Sequence, residues 1–169
     1  MSNTLGFGLR FALLFALLMT AFEASRGTAF ERFLVEDLIL RPTTHLINVV
    51  TPSEHVVLVD RTLISAQGSR LHVTRGCEGI EMFLLLISAI AAFPASLKRR
   101  LQGLLLGAAL AYVLSVGRLI ALHYILRHWP EAWEYAHGLI LPLGPIILMA
   151  IFFLRWSSPG TAATGHHAT

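Results

Sequence analysis

The chain has 169 residues, 55% of them hydrophobic and 14% charged, with a formal net charge of +3 and a mean hydropathy of +0.67. A soluble domain carries about 25% charged residues, so this chain lacks the polar surface to face water on every side, and its apolar residues are bunched into long runs. No basic stripe of the kind that tracks nucleic acid is present, so no nucleic-acid partner is expected, and the single Cys77 excludes an intramolecular disulfide and any CxxC metal site.

Residues 5–22 are apolar apart from Arg10, Thr20 and small residues. They are long enough to span a bilayer, and residues 11–19 also have the character of a signal-peptide core. An uncleaved anchor is the preferred reading, because no clean small-x-small cleavage site follows. Residues 23–75 change character: Glu23, Glu31, Glu36, Asp37, Glu54 and Asp60 interleave with Arg26, Arg32, Arg41, Arg61, Arg70 and Arg75, too dense a set of charges to cross lipid. Within this stretch residues 30–50 mix Phe33, Leu34, Leu38 and Leu40 with charges and read as an amphipathic helix at the membrane interface, with Pro42 as its candidate break. Beyond Pro52, the strings at 55–60, 62–65 and 70–73 read as short strands, with Gln67-Gly68-Ser69 as turn chemistry.

The next span is expected from Cys77 to Phe93-Pro94, and the densest basic cluster, Lys98-Arg99-Arg100, follows it. Residues 101–126 form the clearest helix. Its Gly103, Gly107, Ala108 and Ala109 are read as packing positions that let neighbouring helices approach. Trp129, Trp133 and Tyr135 suit an interfacial belt, and a last span runs from His137 to Leu154. The expected fold is therefore an all-α integral membrane protein with about four transmembrane helices, an interfacial amphipathic helix and a small extracytoplasmic β element. Its parts are an anchor (1–22), an extracytoplasmic segment (23–76), a three-helix membrane core (77–156) and a disordered tail (157–169). Lys98, Arg99, Arg100, Arg10 and Arg155 place both termini in the cytoplasm by the positive-inside rule.

That topology makes a geometric prediction. Arg118 lies 18 residues past Arg100, or about 27 Å at 1.5 Å per residue, which puts it near the outer boundary of the hydrocarbon. Cys77 and His137 are expected at the same depth on two other helices. An Arg inside a span is a functional candidate, with snorkelling or a structural pair to Glu81 as the plainer readings. Glu81 is expected on the helical face of Cys77, where it anchors Arg118, polarises His137 or neutralises buried charge. Cys77 is either an inert buried thiol or a nucleophile activated by neighbouring positive charge. In the second case His137 supplies general acid and base catalysis and Arg118 supports an oxyanion.

The strings around these residues carry a resemblance. RGCEGIEMFLLLISAIAAFP at 75–94 has a Cys-x-Gly opening to a helix that ends in Phe-Pro. Basic residues follow, then a Gly-rich helix ending VLSVGRLIAL at 113–122, and then His137. This order resembles the exosortase/archaeosortase family of membrane-embedded cysteine transpeptidases, over residues 73–156, and CEGIE with the modest size is most similar to a short exosortase subgroup. The resemblance implies catalytic Cys77, Arg118 and His137, supported by Gly79, Glu81 and Ser115. It implies no cofactor and no metal. It also implies a multi-pass protein of the bacterial inner membrane whose active site faces the periplasm. The implied partners, besides membrane lipid, are exported proteins carrying a C-terminal motif of the PEP-CTERM type, a transmembrane helix and a basic tail. They are cut and transferred to a surface acceptor in systems that accompany exopolysaccharide production. The family usually carries Asn where this chain has Ser115.

Two other classes stay open on the sequence: a non-enzymatic assembly factor for a secretion or exopolysaccharide system, and a metalloprotein using Glu78, Glu81, His123, His128 and His137. His45, His55 and His72 are expected to be solvated, His123 to be interfacial, and His166 and His167 to lie idle in the tail.

Overall fold

The computed structural model describes residues 2–158, with side chains from residue 5 onward; the expected tail beyond Ser158, with His166 and His167, lies outside the described residues. Three helices are long and apolar enough to cross a membrane: 5–24, 97–128 and 130–157. The first of these belongs to helix α1, Ser2–Ala24. Helix α2 covers residues 29–50 as one continuous rod, α3 is Ile80–Ala92, α4 is Leu97–His128, and α5 runs from Pro130 to Ser157. At 13 residues, α3 is only about 20 Å long.

Helix α3 packs against α1, α4 and α5. Leu86, Ile90, Ala111 and Met149 form the buried seam between α3, α4 and α5. The small residues of α4 make that approach possible: a Cβ on Gly107 would meet Ile90 at 2.9 Å and Leu86 at 3.2 Å, and one on Gly103 would meet the Trp156 ring at 2.5 Å. At the end of the bundle holding the basic cluster, Phe7, Phe93 and Phe153 pack ring on ring, and Phe93 meets Trp156 edge-on with centroids 5.5 Å apart. There Arg99 donates to the Trp156 and Ser158 carbonyls that close α5.

The opposite end carries a cap. Thr28 is the N-cap of α2, and Glu31, Val35, Ile39, Thr43 and Ile47 form its buried stripe, one residue per four. Phe30, Phe33, Leu38, Leu46, Val49 and Val50 point outward, as an interfacial helix requires. The expected break at Pro42 does not occur. Residues Phe33–Leu40 form a π-helical segment in which the Arg41 N–H reaches back to the Glu36 carbonyl. A proline cannot donate its N–H and its ring crowds the carbonyl four residues back; widening the preceding turns to five-residue bonds lets the helix run through. The same device recurs in α5, where Ala136–Ile140 is π-helical, the Leu141 N–H reaches Ala136, and Pro142 follows.

The strands form an antiparallel meander in the order β1 (Val57–Val59), β2 (Thr62–Ile64), β3 (Arg70–His72). Val59 pairs with Thr62, so Asp60-Arg61 is a two-residue hairpin loop. Both residues adopt positive φ, 44° and 60°, which matches the twist of a tight hairpin. Val56, Leu63, Leu71 and Val73 join Val35, Leu40, Ile47, Leu119 and Leu122 in one apolar core beneath the cap.

Substituting Gly107→Leu is expected to destabilise the detergent-solubilised protein by about 1–3 kcal/mol through overpacking. Gly117→Leu on the same helix, where a Cβ meets nothing within 4 Å, is expected to leave the melting temperature unchanged or raise it slightly. Thermal unfolding of both variants checks this.

Candidate active site

Residues 74–77 form a turn that runs on through a bend at 78–79. The Cys77 N–H donates to the Thr74 carbonyl at 3.0 Å, and Gly76 at the third position has φ +82°, the conformation that a type II turn asks of glycine. Gly79 follows with φ +81° and opens α3. Two left-handed glycines thus bracket Cys77-Glu78 and hold the thiol on a turn ahead of the helix. This corrects the expectation of a helix beginning at Cys77. It also removes the shared helical face expected for Glu81, whose carboxylate instead turns back over Gly76, 3.6 Å from where a Cβ would stand. Gly79 seats against α4 so closely that an added Cβ would overlap the Ser115 hydroxyl.

The Cys77 Sγ lies 3.9 Å from Nε2 of His137, across 60 residues of sequence, and 3.5 Å from the Thr74 hydroxyl. His137 is presented by the π-helical turn ahead of Pro142. Arg118 is buried, 7% exposed, one helical turn beyond Ser115. Its neighbours Leu119 and Leu122 share a core with Cys77 and Ile80. The Arg118 Nε is buried with no partner, and Arg118 takes part in no ion pair among the described residues, with Glu81 or any other carboxylate. The structure therefore joins Cys77 to His137 directly and sets Arg118 on the helix that backs the thiol's turn.

Ionic contacts tie this turn to the cap. Glu78, 2% exposed, accepts from Arg26 at 3.2 Å, while its second oxygen is buried without a partner among the described residues. Arg26 also bonds Glu23 at 2.8 Å and Glu31 at 3.4 Å. Arg61 on the hairpin loop reaches Glu31 at 2.9 Å and Glu36 at 3.6 Å. Burial pushes the Glu31 carboxyl up, but the Gly27 N–H and the Arg61 and Arg26 guanidinium groups outweigh it and hold the group below its ordinary value.

A second cluster lies further along α4. Glu54 is buried and accepts from Ser65 and from Arg127. His123 is fully buried, its Nε2 3.5 Å from Glu54 but not aligned for a hydrogen bond; it is a core residue and not an interfacial one. Burial raises the Glu54 carboxyl, while Ser65 and Arg127 lower it further than burial lifts it. His45, His55 and His72 are exposed. Among the described residues no three His, Cys, Asp or Glu side chains converge as a metal ion would require, which leaves the metalloprotein reading without a site.

An apolar cavity of about 280 Å³ opens beside the thiol's turn, walled by Phe22, Leu34, Leu38 and Phe83 and closed by Gly79 and Ser115. Thr74, Arg26 and Trp133 join the site as neighbours that the motif string does not mark, and Glu78 joins it as a partner of Arg26. Glu78 and Arg26 are distant in sequence and carry no spacing signal. Thr74 was within reach, because a turn ending in Gly76-Cys77 brings the residue three before the thiol alongside it.

A family model described as transmembrane exosortase matches residues 3–157. The comparison with curated proteins gives no match, and neither does the comparison with solved structures.

Gly79→Ala is expected to cost about 1–2 kcal/mol for the left-handed backbone alone, plus the collision with Ser115. Gly79→Ala/Ser115→Gly should therefore recover only part of the loss in melting temperature. Because the Glu31 and Glu54 carboxyls are held below their ordinary 4.5, they stabilise the fold fully above that pH. The contribution is lost as pH falls through their lowered values. Limited proteolysis across pH 7 to 3 should show the cap opening only below about 4.5.

Proposed function

The chain belongs to the transmembrane exosortase family, and on that premise we propose that it is a membrane-embedded cysteine transpeptidase with Cys77 as nucleophile, His137 as general base and acid, and Arg118 as oxyanion support. The observation that carries the reading is the contact of Cys77 Sγ with His137 Nε2 at 3.9 Å. In this reading His137 Nε2 takes the thiol proton, and the thiolate attacks a peptide carbonyl carbon. Arg118, buried and with its Nε unpartnered among the described residues, stabilises the negative oxygen that forms. Collapse breaks the C–N bond, the leaving amine takes its proton from His137, and a thioester remains on Cys77. An acceptor nucleophile then gives its proton to His137 and attacks the thioester carbon, the C–S bond breaks, and the new acyl bond forms as the thiolate returns.

The substrate proposed is an exported protein whose C-terminal motif, of the PEP-CTERM type, precedes a transmembrane helix and a basic tail. The apolar cavity ending at Gly79 and Ser115 supports a substrate that arrives from lipid, since its walls offer no polar group beyond Ser115 and the Tyr112 hydroxyl. We count α3 as the fourth span, its 13 residues extended by the turns on either side. The site then faces the periplasm at the outer edge of the inner membrane, both termini are cytoplasmic, and the transfer serves a surface or exopolysaccharide system.

The test is co-expression with such a target. Cys77→Ala and His137→Ala are expected to abolish processing, by about 10³-fold or more, while both proteins accumulate in the membrane. Arg118→Lys should lower the rate by about 10²-fold, because a point charge replaces a planar fork. Processing that survives Cys77→Ser unchanged would instead mark the chain as a non-enzymatic assembly factor.

A further inference from the structure

Trp133 lies four residues before His137 and stacks on it face to face, with ring centroids 5.0 Å apart and planes 4° from parallel. The imidazole has no other anchor: its Nδ1 is buried with no hydrogen-bond partner among the described residues, and its Nε2 faces only the Cys77 thiol. In cysteine and serine acyl transferases a third polar group usually orients the base by hydrogen bonding to its far nitrogen. Among the described residues no acceptor takes that place, and an aromatic face covers the ring instead. Rotation about the bond to the imidazole would swing Nε2 away from the sulfur, and it would also break the parallel stack. Trp133 is itself held, since it packs against the same apolar core that contains Cys77. The π-helical turn that begins at Ala136 leaves the backbone around His137 less tightly bonded than an α-helix, so the ring's aim depends all the more on what lies against it.

We propose that Trp133 is the positioning residue for His137, holding the imidazole by stacking so that Nε2 stays directed at the thiol. The proposal rests on the Cys77–His137 reading above and adds a residue to it. Cys77 is the single cysteine of the chain, so the rate of alkylation by iodoacetamide reports on this thiol alone. The experiment measures that rate at pH 7 on the monodisperse full-length protein in detergent, for the native chain, His137→Ala, Trp133→Phe, Trp133→Leu and Trp133→Met. Phenylalanine keeps an aromatic face; leucine and methionine keep apolar bulk without one. Trp133→Phe is expected within about twofold of the native rate. Trp133→Leu and Trp133→Met should fall about tenfold, towards His137→Ala, because the thiolate fraction follows the base beside it. The inference is overturned if either apolar variant reacts at the native rate, or if Trp133→Phe falls as far as Trp133→Leu, which would make the indole mere packing. Should His137→Ala itself react at the native rate, the pairing of thiol and imidazole fails, and this proposal fails with it. A slow His137→Ala beside a fast Trp133→Leu removes the role of Trp133 alone.

Discussion

Glu78 stands next to the thiol in sequence and is almost wholly withdrawn from solvent. A buried carboxylate left unpaired costs several kcal/mol, and among the described residues the cation within reach is Arg26, at 3.2 Å. Arg26 sits in the turn between α1 and α2, so this one contact fastens the Cys77 turn to the first helix and to the cap together. Glu31 then shares Arg26 with Glu78 and hands the connection on to Arg61, whose backbone is already held in the left-handed region by the hairpin. A chain of alternating charges thus runs from the sheet to the residue beside the sulfur. Removing Arg26 strands the buried Glu78 carboxylate and leaves Glu31 with Arg61 alone, whereas the outer pairs with Glu23 and Glu36 are more exposed and contribute less.

Cys77 and His137 reach each other because neither belongs to regular α-helix. Cys77 is displaced from the start of α3 by two left-handed glycines, and His137 is carried on a widened turn of α5. Regular helices would fix both side chains by the 100° step of the backbone, and the helices would have to cross at one depth to join them. The irregular segments relax that requirement while the helices below keep the tight packing set by Gly103 and Gly107. Rigid support and adjustable presentation are divided between the lower bundle and the upper turns.

Much of this was legible in the residues. Long apolar runs marked three helices of spanning length, while the fourth expected span, 77–94, holds a helix of only 13 residues; alternation and turn residues located the three strands, and the glycines of α4 announced close packing. The Cys-x-Gly string and the order of Cys, Arg and His pointed to the thiol and imidazole that meet. What escaped reading has a common cause. Pro42 looked like a break because the rule against proline inside a helix assumes four-residue hydrogen bonds, and the chain replaces them locally with five-residue bonds. Glu81 is expected on the face of Cys77 only if a helix begins at the sulfur, and positive φ at Gly76 and Gly79 breaks that register. His123 looked interfacial because nothing in its neighbourhood reveals Glu54, 69 residues away in sequence. The Arg26–Glu78 contact spans 52 residues and leaves no local trace either.

The seat of Gly79 on Ser115 has a bearing on which side chains position 115 can hold. With no room for even one added carbon on the glycine side, the space between turn and helix is filled by a hydroxymethyl group. An asparagine side chain, one bond longer and two heavy atoms larger, would crowd that gap; it must either lift the sulfur-bearing turn away from α4 or lean along the helix towards the guanidinium. Serine here therefore sets how near the Cys77 turn sits to its backing helix, and a bulkier side chain in its place would shift the thiol relative to α4.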